Sequence, residues 1–258
     1  MSNKNLAIII PTYNEKENIF NLISEIGSTI RNQSIDTLII VIDDNSPDGT
    51  ADLLLRNRPI LEEKYSTVKI QLIKREEKLG LGSAYLRGFN EALTLKVDYI
   101  MEMDADFSHQ PKYIPLFIEA IQDADVVIGS RYVRGGGTEN WGKIRKVLSK
   151  GAGLYARTIL GMKVQDMTAG FVMYKSQILQ DLNLNEVKSN GYSFQIEMKY
   201  RIWKKGYRIK EIPIVFPDRI LGKSKISKIS TIVNTMKIVW QLKLDNKIRF
   251  KKISQSKS

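Results

Sequence analysis

DYIMEMDADFSH, residues 98–109, joins an apolar run to two aspartates one residue apart, Asp104 and Asp106. Carboxylates at the end of a buried strand are costly unless they are paired or hold a cation. In open, mostly parallel α/β sheets, ligands bind outside the carboxyl ends of the strands. The stretch therefore raises the question of whether other strands in the chain end in the same way.

Three others do. LAIII (6–10) gives way to PTYNE (11–15), TLIIVI (37–42) to DDNSPDGT (43–50), and ADVVIGS (124–130) to Arg131 and Tyr132. VKIQLIK (68–74), GFVMYK (170–175) and YRIKEIPIVF (207–216) read as further strands. Helical patterns lie between them. Asn14 with Glu17 three residues on reads as a capping box, opening a helix whose Ile19, Leu22, Ile23, Ile26 and Ile30 share one face. SPDGT leads into a helix through Leu55, and another follows around 83–95. PKYIPLFIEAI (111–121) starts a helix on a proline. KIRKVLSKGAGLYARTILG (143–161) is helical although Gly151 and Gly153 weaken it, and YSFQIEMKYRIWKK (192–205) is helical too. RGGGTENWG (134–142) reads as a flexible loop. Continuous apolar strands alternating with helices give an α/β fold, a parallel sheet covered on both faces. Its four polar strand ends should meet on one edge.

Composition narrows the chemistry. At 258 residues there is room for one large domain, or one with an appendage. The absence of cysteine excludes disulfides, zinc-thiolate sites and cysteine nucleophiles. His109 is the sole histidine, so a multi-histidine metal site is excluded and any Ser-His-Asp triad would have to use it. No apolar run approaches the roughly 18–20 residues of a membrane span, and LAIIIP lacks a signal-peptide pattern, so a cytoplasmic chain is expected. The net charge is +12, and the segment from Arg219 to Ser258 holds eleven basic residues and one acid, Asp245. Within it, residues 224–242 place Ile226, Ile229, Ile232, Val233, Met236, Val239 and Trp240 at helical spacing among lysines. A basic amphipathic helix suits a membrane surface or a partner; it equally suits packing on the domain with solvated lysines.

There is no P-loop, and GLGSAYLRG has Tyr85 where a dinucleotide fingerprint needs its third glycine. Phosphates on this edge would need another counter-charge. A divalent cation on Asp104 and Asp106 supplies one, since Mg²⁺ takes one or two carboxylates plus substrate phosphates and Mn²⁺ suits the same ligands.

PTYNE, VIDDNSPDGT, GLGSAYLRGF, MDADFSH, GSRY, VQDMTAGF, GYSFQIEM and FPDRILGKSK stand in the order seen in dolichol-phosphate mannosyltransferases. Over about residues 6–226 the chain resembles these inverting GT-A-type enzymes of glycosyltransferase family 2, which also contains polyprenyl-phosphate glucosyltransferases. The resemblance implies a GT-A nucleotide-sugar-binding fold over residues 1–218, with an acceptor loop and basic amphipathic extension over 219–258. It implies transfer of mannose from GDP-mannose to dolichyl or another polyprenyl phosphate, giving dolichyl β-D-mannosyl phosphate for glycan assembly. A UDP-glucose enzyme of the same fold is the rival. A nucleic-acid-binding module, which the tail charge would permit, lacks any helix-turn-helix, RNP or zinc-finger signature.

Residue by residue, the resemblance places Pro11, Tyr13 and Glu15 in the nucleotide pocket, with Ile42 and Asp44 on the base and ribose side. Asp104, Ala105 and Asp106 would border the diphosphate, with Asp106 the main ligand of Mg or Mn and Ser108 near it. Arg131 and Arg145 would hold the acceptor phosphate, and Arg219 and Lys225 would close over the donor phosphates. Val172 stands where relatives commonly carry arginine, so either another cation serves or none is needed there. Read as structure alone, Tyr13 and Ile42 suit a core, Arg131 a surface ion pair, Glu15 the first turn of a helix, Asp166 a turn cap, His109 a structural role and Ser149 a plain helix position. The enzyme would work on the cytoplasmic face of a membrane (endoplasmic reticulum in a eukaryote, plasma membrane in a prokaryote). It would reach its lipid by surface attachment through the basic helix or through a separate membrane subunit.

Overall fold

The structure, a computed structural model, describes residues 4–217 and 229–245. Seven strands build one sheet: β1 (Lys4–Thr12), β2 (Ile35–Asp43), β3 (Val68–Lys74), β4 (Tyr99–Glu102), β5 (Val126–Ser130), β7 (Val172–Lys175) and β8 (Ile209–Pro213). Their order is β3-β2-β1-β4-β7-β5-β8, with β7 antiparallel to both neighbours and every other pair parallel. This is the mostly parallel sheet expected.

Strand β1 shows why its sequence is uniformly apolar. Successive side chains alternate between faces. Leu6, Ile8 and Ile10 enter the core under α1 (Ile19–Ile30), α2 (Thr50–Lys64) and α4 (Ile114–Ala120). Ala7 and Ile9 enter the opposite core under α3 (Leu81–Thr94), α5 (Lys143–Leu160) and α7 (Tyr192–Lys204). All five are fully buried, each large one contributing about 1.5–3 kcal/mol. On the second face α3 approaches so closely that a Cβ on Gly88 would lie 2.3 Å from Ile9 Cγ2.

Three local expectations are corrected. The helix after β1 begins at Ile19, beyond the Asn14–Glu17 box. Asn14 instead has φ 61° and donates its backbone N–H to Ser46 Oγ, and the Glu15 N–H goes to Thr50 Oγ1. Hydroxyls of the second loop thus take up donors of PTYNE, while the Glu15 carbonyl accepts from the Asn18 and Ile19 N–H groups and so opens the turn that leads into the helix. The glycine-rich loop after β5 is pinned rather than loose. Its β6 (Gly137–Thr138) pairs in parallel with β9 (Val215–Phe216). Gly136 is required there, because a Cβ would sit 2.4 Å from the Ser130 carbonyl oxygen. Helix α2 also runs past Leu55, and past Pro59, to Lys64.

The six-residue α6 (Ser176–Asp181) follows β7, and α8 (Ile229–Leu244) packs on α5 and α7, burying Val239 and Leu242. No helix among the described residues is long and apolar enough to cross a membrane.

Candidate active site

The polar strand ends converge as the topology requires. Thr12 closes β1 opposite Asp43 at the end of β2, and its hydroxyl donates to Asp43 Oδ1 at 2.8 Å. Asp43 is fully buried and also accepts from the Ser46 N–H and hydroxyl, so it ties the first two loops together. Asp44 is held by Arg75 from the end of β3: Nε donates to Oδ1 at 2.5 Å, and Nη2 forms a second close contact with the same oxygen. The Gly80 N–H donates to its other oxygen at 3.3 Å. Pro11 faces Ile42 across the ladder. Ile42 is wholly inside the core, so its side chain offers no surface to a ligand. Tyr13 is more than a third exposed, and the Lys78 ammonium lies 3.3 Å from its ring centroid. Asn18 donates to Glu15 Oε2.

Beyond β4 the chain turns sharply. Phe107 has φ 60°, a left-handed conformation uncommon for a bulky residue and a mark of functional loops. The turn places Asp104 and Asp106 under separate control. Tyr85, from α3, donates its hydroxyl to Asp104 Oδ1 at 2.8 Å. Burial, and then the charge of Asp104, push the Tyr85 phenol well above its ordinary range, so it remains a donor. The Asp104 N–H donates to His109 Nδ1 at 2.8 Å, which leaves that nitrogen without a proton. The buried His109 ring stacks on Phe171, with centroids 4.9 Å apart, and meets Phe216 edge-on. The only histidine therefore braces the aspartate loop. Ser108 donates both its N–H and its hydroxyl to Asp106 Oδ1, at 3.1 and 2.5 Å.

Asp104 and Asp106 are hard oxygen donors flanking the buried Ala105. Among the described residues no cluster of three or more His, Cys, Asp and Glu forms a metal cage. The donor set suits a hard divalent cation that takes its remaining ligands from water and phosphate oxygens, and does not suit a cation needing a closed protein shell.

A second group lies at the end of β5. Arg131 is buried and forks onto the fully buried Asp166, with Nε to Oδ2 at 2.7 Å and Nη2 to Oδ1 at 2.6 Å. Its backbone N–H also reaches Oδ2, and Nη2 reaches Thr168 Oγ1. Burial pushes the Asp166 carboxyl up, but the charge and hydrogen bonds of Arg131 outweigh it and hold the group below the usual range. The partner of Arg131 is thus a buried acid of the VQDMTAGF stretch, not a surface one. Trp141 joins Arg131 to Arg145: the two guanidinium carbons lie 5.4 and 3.8 Å from rings of that one side chain. Phe216 meets Trp141 edge-on and also flanks Arg131, linking this group to His109. Ser149 is buried on α5 and bonded to the Tyr132 hydroxyl at 2.7 Å. Arg219 and Lys225 lie outside the described residues.

Beneath both groups runs a buried polar chain. Glu102 accepts from the Tyr174 hydroxyl at 2.5 Å and from Gln195 Nε2. Lys199, four residues and about one turn further along α7, donates to Gln195 Oε1 at 3.1 Å and to the Ala169 carbonyl at 2.6 Å. Burial raises the Glu102 carboxyl to about 7, against the pull of Tyr174, Gln195 and the Lys199 charge. Burial lowers the Lys199 ammonium to about 8, against the charges of Glu102 and Asp166. Val172 is buried core, paired with Glu102 across the ladder, so the buried positive charge acting on Glu102 comes from Lys199. Sequence reading left Tyr85, Arg75, Trp141, Gln195 and Lys199 without roles. Their motifs were visible, but only the fold brings them to the strand ends.

The sequence profile of glycosyl transferase family 2 matches residues 7–182, more than half of the chain. The undecaprenyl-phosphate mannosyltransferase of Micrococcus luteus is 40% identical over 219 residues, covering 85% of this chain and 86% of that protein. The polyprenol monophosphomannose synthase of Mycolicibacterium smegmatis is 40% identical over 224 residues, covering 85% of this chain and 80% of that protein. Among solved structures, glucosyl-3-phosphoglycerate synthase from Mycobacterium tuberculosis, in complex with Mn²⁺, UDP and glucosyl-3-phosphoglycerate, matches with TM-score 0.63 at 16% identity, over 93% of this chain and 80% of that one. A mannosyltransferase from Pyrobaculum calidifontis, in complex with GDP-mannose and Mn²⁺, matches with TM-score 0.55 at 18% identity, over 85% of this chain and 58% of that one. These structural likenesses establish the shared GT-A fold.

Proposed function

The chain belongs to glycosyl transferase family 2, and from that membership we propose that it transfers mannose from GDP-mannose to dolichyl or another polyprenyl phosphate, with inversion at the anomeric carbon. The observation that carries the reading is the placing of Arg131 and Arg145 on one tryptophan, Trp141, while two carboxylates follow β4 on the same sheet edge. Guanidinium groups suit a phosphate monoester, and Asp166, which takes the Nε and Nη2 donors of Arg131, fixes the orientation of that group. A two-carboxylate turn suits a cation shared with a diphosphate. The names of the 40%-identical relatives support a lipid-phosphate acceptor and mannose.

Asp104 and Asp106 would hold Mg²⁺ or Mn²⁺, which when bound neutralises charge on the donor diphosphate. Ser108 fixes the Asp106 carboxylate, and Tyr85 with the His109-braced turn fixes Asp104. Pro11, Tyr13, Glu15 and Asp44 would border the nucleotide, with Arg219 and Lys225 assigned to its phosphates by the family resemblance. Arg131, aimed by Asp166, and Arg145 orient the acceptor so that a phosphate oxygen faces the anomeric carbon. The new bond joins that oxygen to the sugar, and the bond from the sugar to the nucleoside diphosphate breaks. The acceptor, with a second pKa near 6, arrives largely ionised at neutral pH, so no general base is needed, which agrees with a sole histidine spent on bracing a loop. Because the acceptor is a lipid, the reaction would run peripherally at a membrane surface, for which we propose the cytoplasmic face. Donor depletion with GDP-mannose and UDP-glucose offered separately tests the reading. Mannose transfer alone is the expected result, and preferential consumption of UDP-glucose would replace the donor assignment.

A further inference from the structure

Lys199 is fully buried. A buried ammonium is costly, and lysine is almost never fully buried without partners. Its charged neighbours on α7, Glu197 and Arg201, pair with each other: Arg201 Nε donates to Glu197 Oε1 at 2.8 Å. Lys199 instead reaches out of the helix to the Ala169 carbonyl, while also holding Gln195 Oε1. Gln195 passes the contact on to Glu102, at the end of β4 and two residues before Asp104. An apolar side chain of similar size would fill this space without the cost of a buried charge. Stability alone therefore does not call for a lysine here.

The carbonyl that Lys199 holds belongs to the segment 166–171, and that segment touches both halves of the site. At one end Asp166 takes the Arg131 fork, and Thr168 Oγ1 accepts from Arg131 Nη2 at 2.8 Å. At the other end Phe171 stacks on His109, whose Nδ1 accepts the Asp104 N–H. Gly170 lies against the same ring, where a Cβ would sit 3.3 Å from His109 Cε1. Phe216 also stands between Arg131 and His109. An aromatic spacer has no directional hold, whereas a charge-assisted bond to a backbone carbonyl does.

Given the acceptor reading above, we propose that Lys199 is a positioning residue. It pins segment 166–171 and so fixes the separation between Arg131 on the acceptor side and the turn of Asp104 and Asp106 on the donor side. Each half has its own local supports, Asp166 for Arg131 and Tyr85 and Ser108 for the aspartates. Loss of Lys199 therefore costs alignment rather than binding. A misplacement of about 1 Å can cost about 10²-fold in rate.

The test is steady-state kinetics of full-chain Lys199→Met on a short polyprenyl phosphate, with the nucleotide sugar that the wild type consumes and each substrate varied in turn. Rates are taken per site that binds nucleoside diphosphate and Mn²⁺ in calorimetry, so that unfolded protein does not count as lost catalysis. The expected result is a kcat about 10–100-fold below wild type, with both KM values within about threefold. Gly170→Ala, which presses the same segment against His109, should give the same split, and it decides the matter alone should Lys199→Met fail to fold. Because both variants displace one element, their effects should not add: the double variant should be within about twofold of the worse single one. The proposal is overturned by a wild-type kcat in either folded variant, by a rise confined to the acceptor KM, or by additive losses in the double variant. Failure of the acceptor reading looks different: the wild type itself glycosylates no polyprenyl phosphate, and the role of Lys199 falls with it.

Discussion

Arg131 and Asp166 form a buried, doubly bonded ion pair between the end of β5 and the loop before β7. The acid aims the guanidinium and offsets the cost of burying it. Removing one partner of such a pair leaves an uncompensated charge in the interior. Asp166→Ala is expected to lose about 3–5 kcal/mol in urea unfolding. Asp166→Asn, which keeps the shape, should raise KM for the lipid phosphate more than KM for the donor. Because the folded carboxyl titrates below its ordinary 3.8, its contribution is present above that pH and is lost as pH falls through the depressed value.

Asp106 and Ser108 should separate ligand from positioning. Asp106→Ala removes a carboxylate and is expected to lower turnover by about 10²–10³-fold at limiting Mn²⁺, the scale of losing a principal charge-stabilising group. Ser108→Ala removes one of the two donors to Asp106 Oδ1 and should weaken metal activation by about 10–100-fold. Added Mn²⁺ should rescue Ser108→Ala far better than Asp106→Ala. Equal rescue of both would contradict this division.

Arg145 stacks on Trp141, which also neighbours Arg131. Trp141→Leu should therefore disturb both arginines without touching the nucleotide side. The expected outcome is a rise of about tenfold or more in KM for the acceptor, as for loss of a charge-assisted contact of about 1.4 kcal/mol, with KM for the nucleotide sugar unchanged. Steady-state kinetics with each substrate varied in turn provides the check.

Glu102 gives a pH signature. Its folded pKa, about 7, lies above the ordinary 4.5, so the folded state binds its proton more tightly than the unfolded one. That contribution to stability is full below about 4.5 and is lost as pH rises toward 7. Glu102→Gln removes the titration. The melting temperature of the variant relative to wild type should climb across that interval and level off above it. A flat difference would show that Glu102 does not titrate there.

Much of this was legible in the sequence because uniformly apolar strands can only be central and parallel, and their polar ends must share an edge. VKIQLIK matches β3 residue for residue, and the turn carrying Asp104 and Asp106 sits where the strand pattern puts it. What was not legible depended on partners distant in the chain. Asn14 and Glu17 carry a capping pattern, but Ser46 and Thr50 claim the backbone donors of that turn. The RGGGTENWG stretch reads as loose until β9 pairs with it and delivers Trp141 to Phe216. Asp166 is any turn aspartate until Arg131 arrives from 35 residues away.

The most direct measurement is mannolipid formation from GDP-mannose and a short polyprenyl phosphate, followed with and without a metal chelator. The account predicts a mannosyl lipid monophosphate with inverted anomeric configuration, abolished by chelator, restored by Mg²⁺ or Mn²⁺, and lost in Asp106→Ala. Retained configuration, or full product formation in the presence of chelator or in Asp106→Ala, would contradict it.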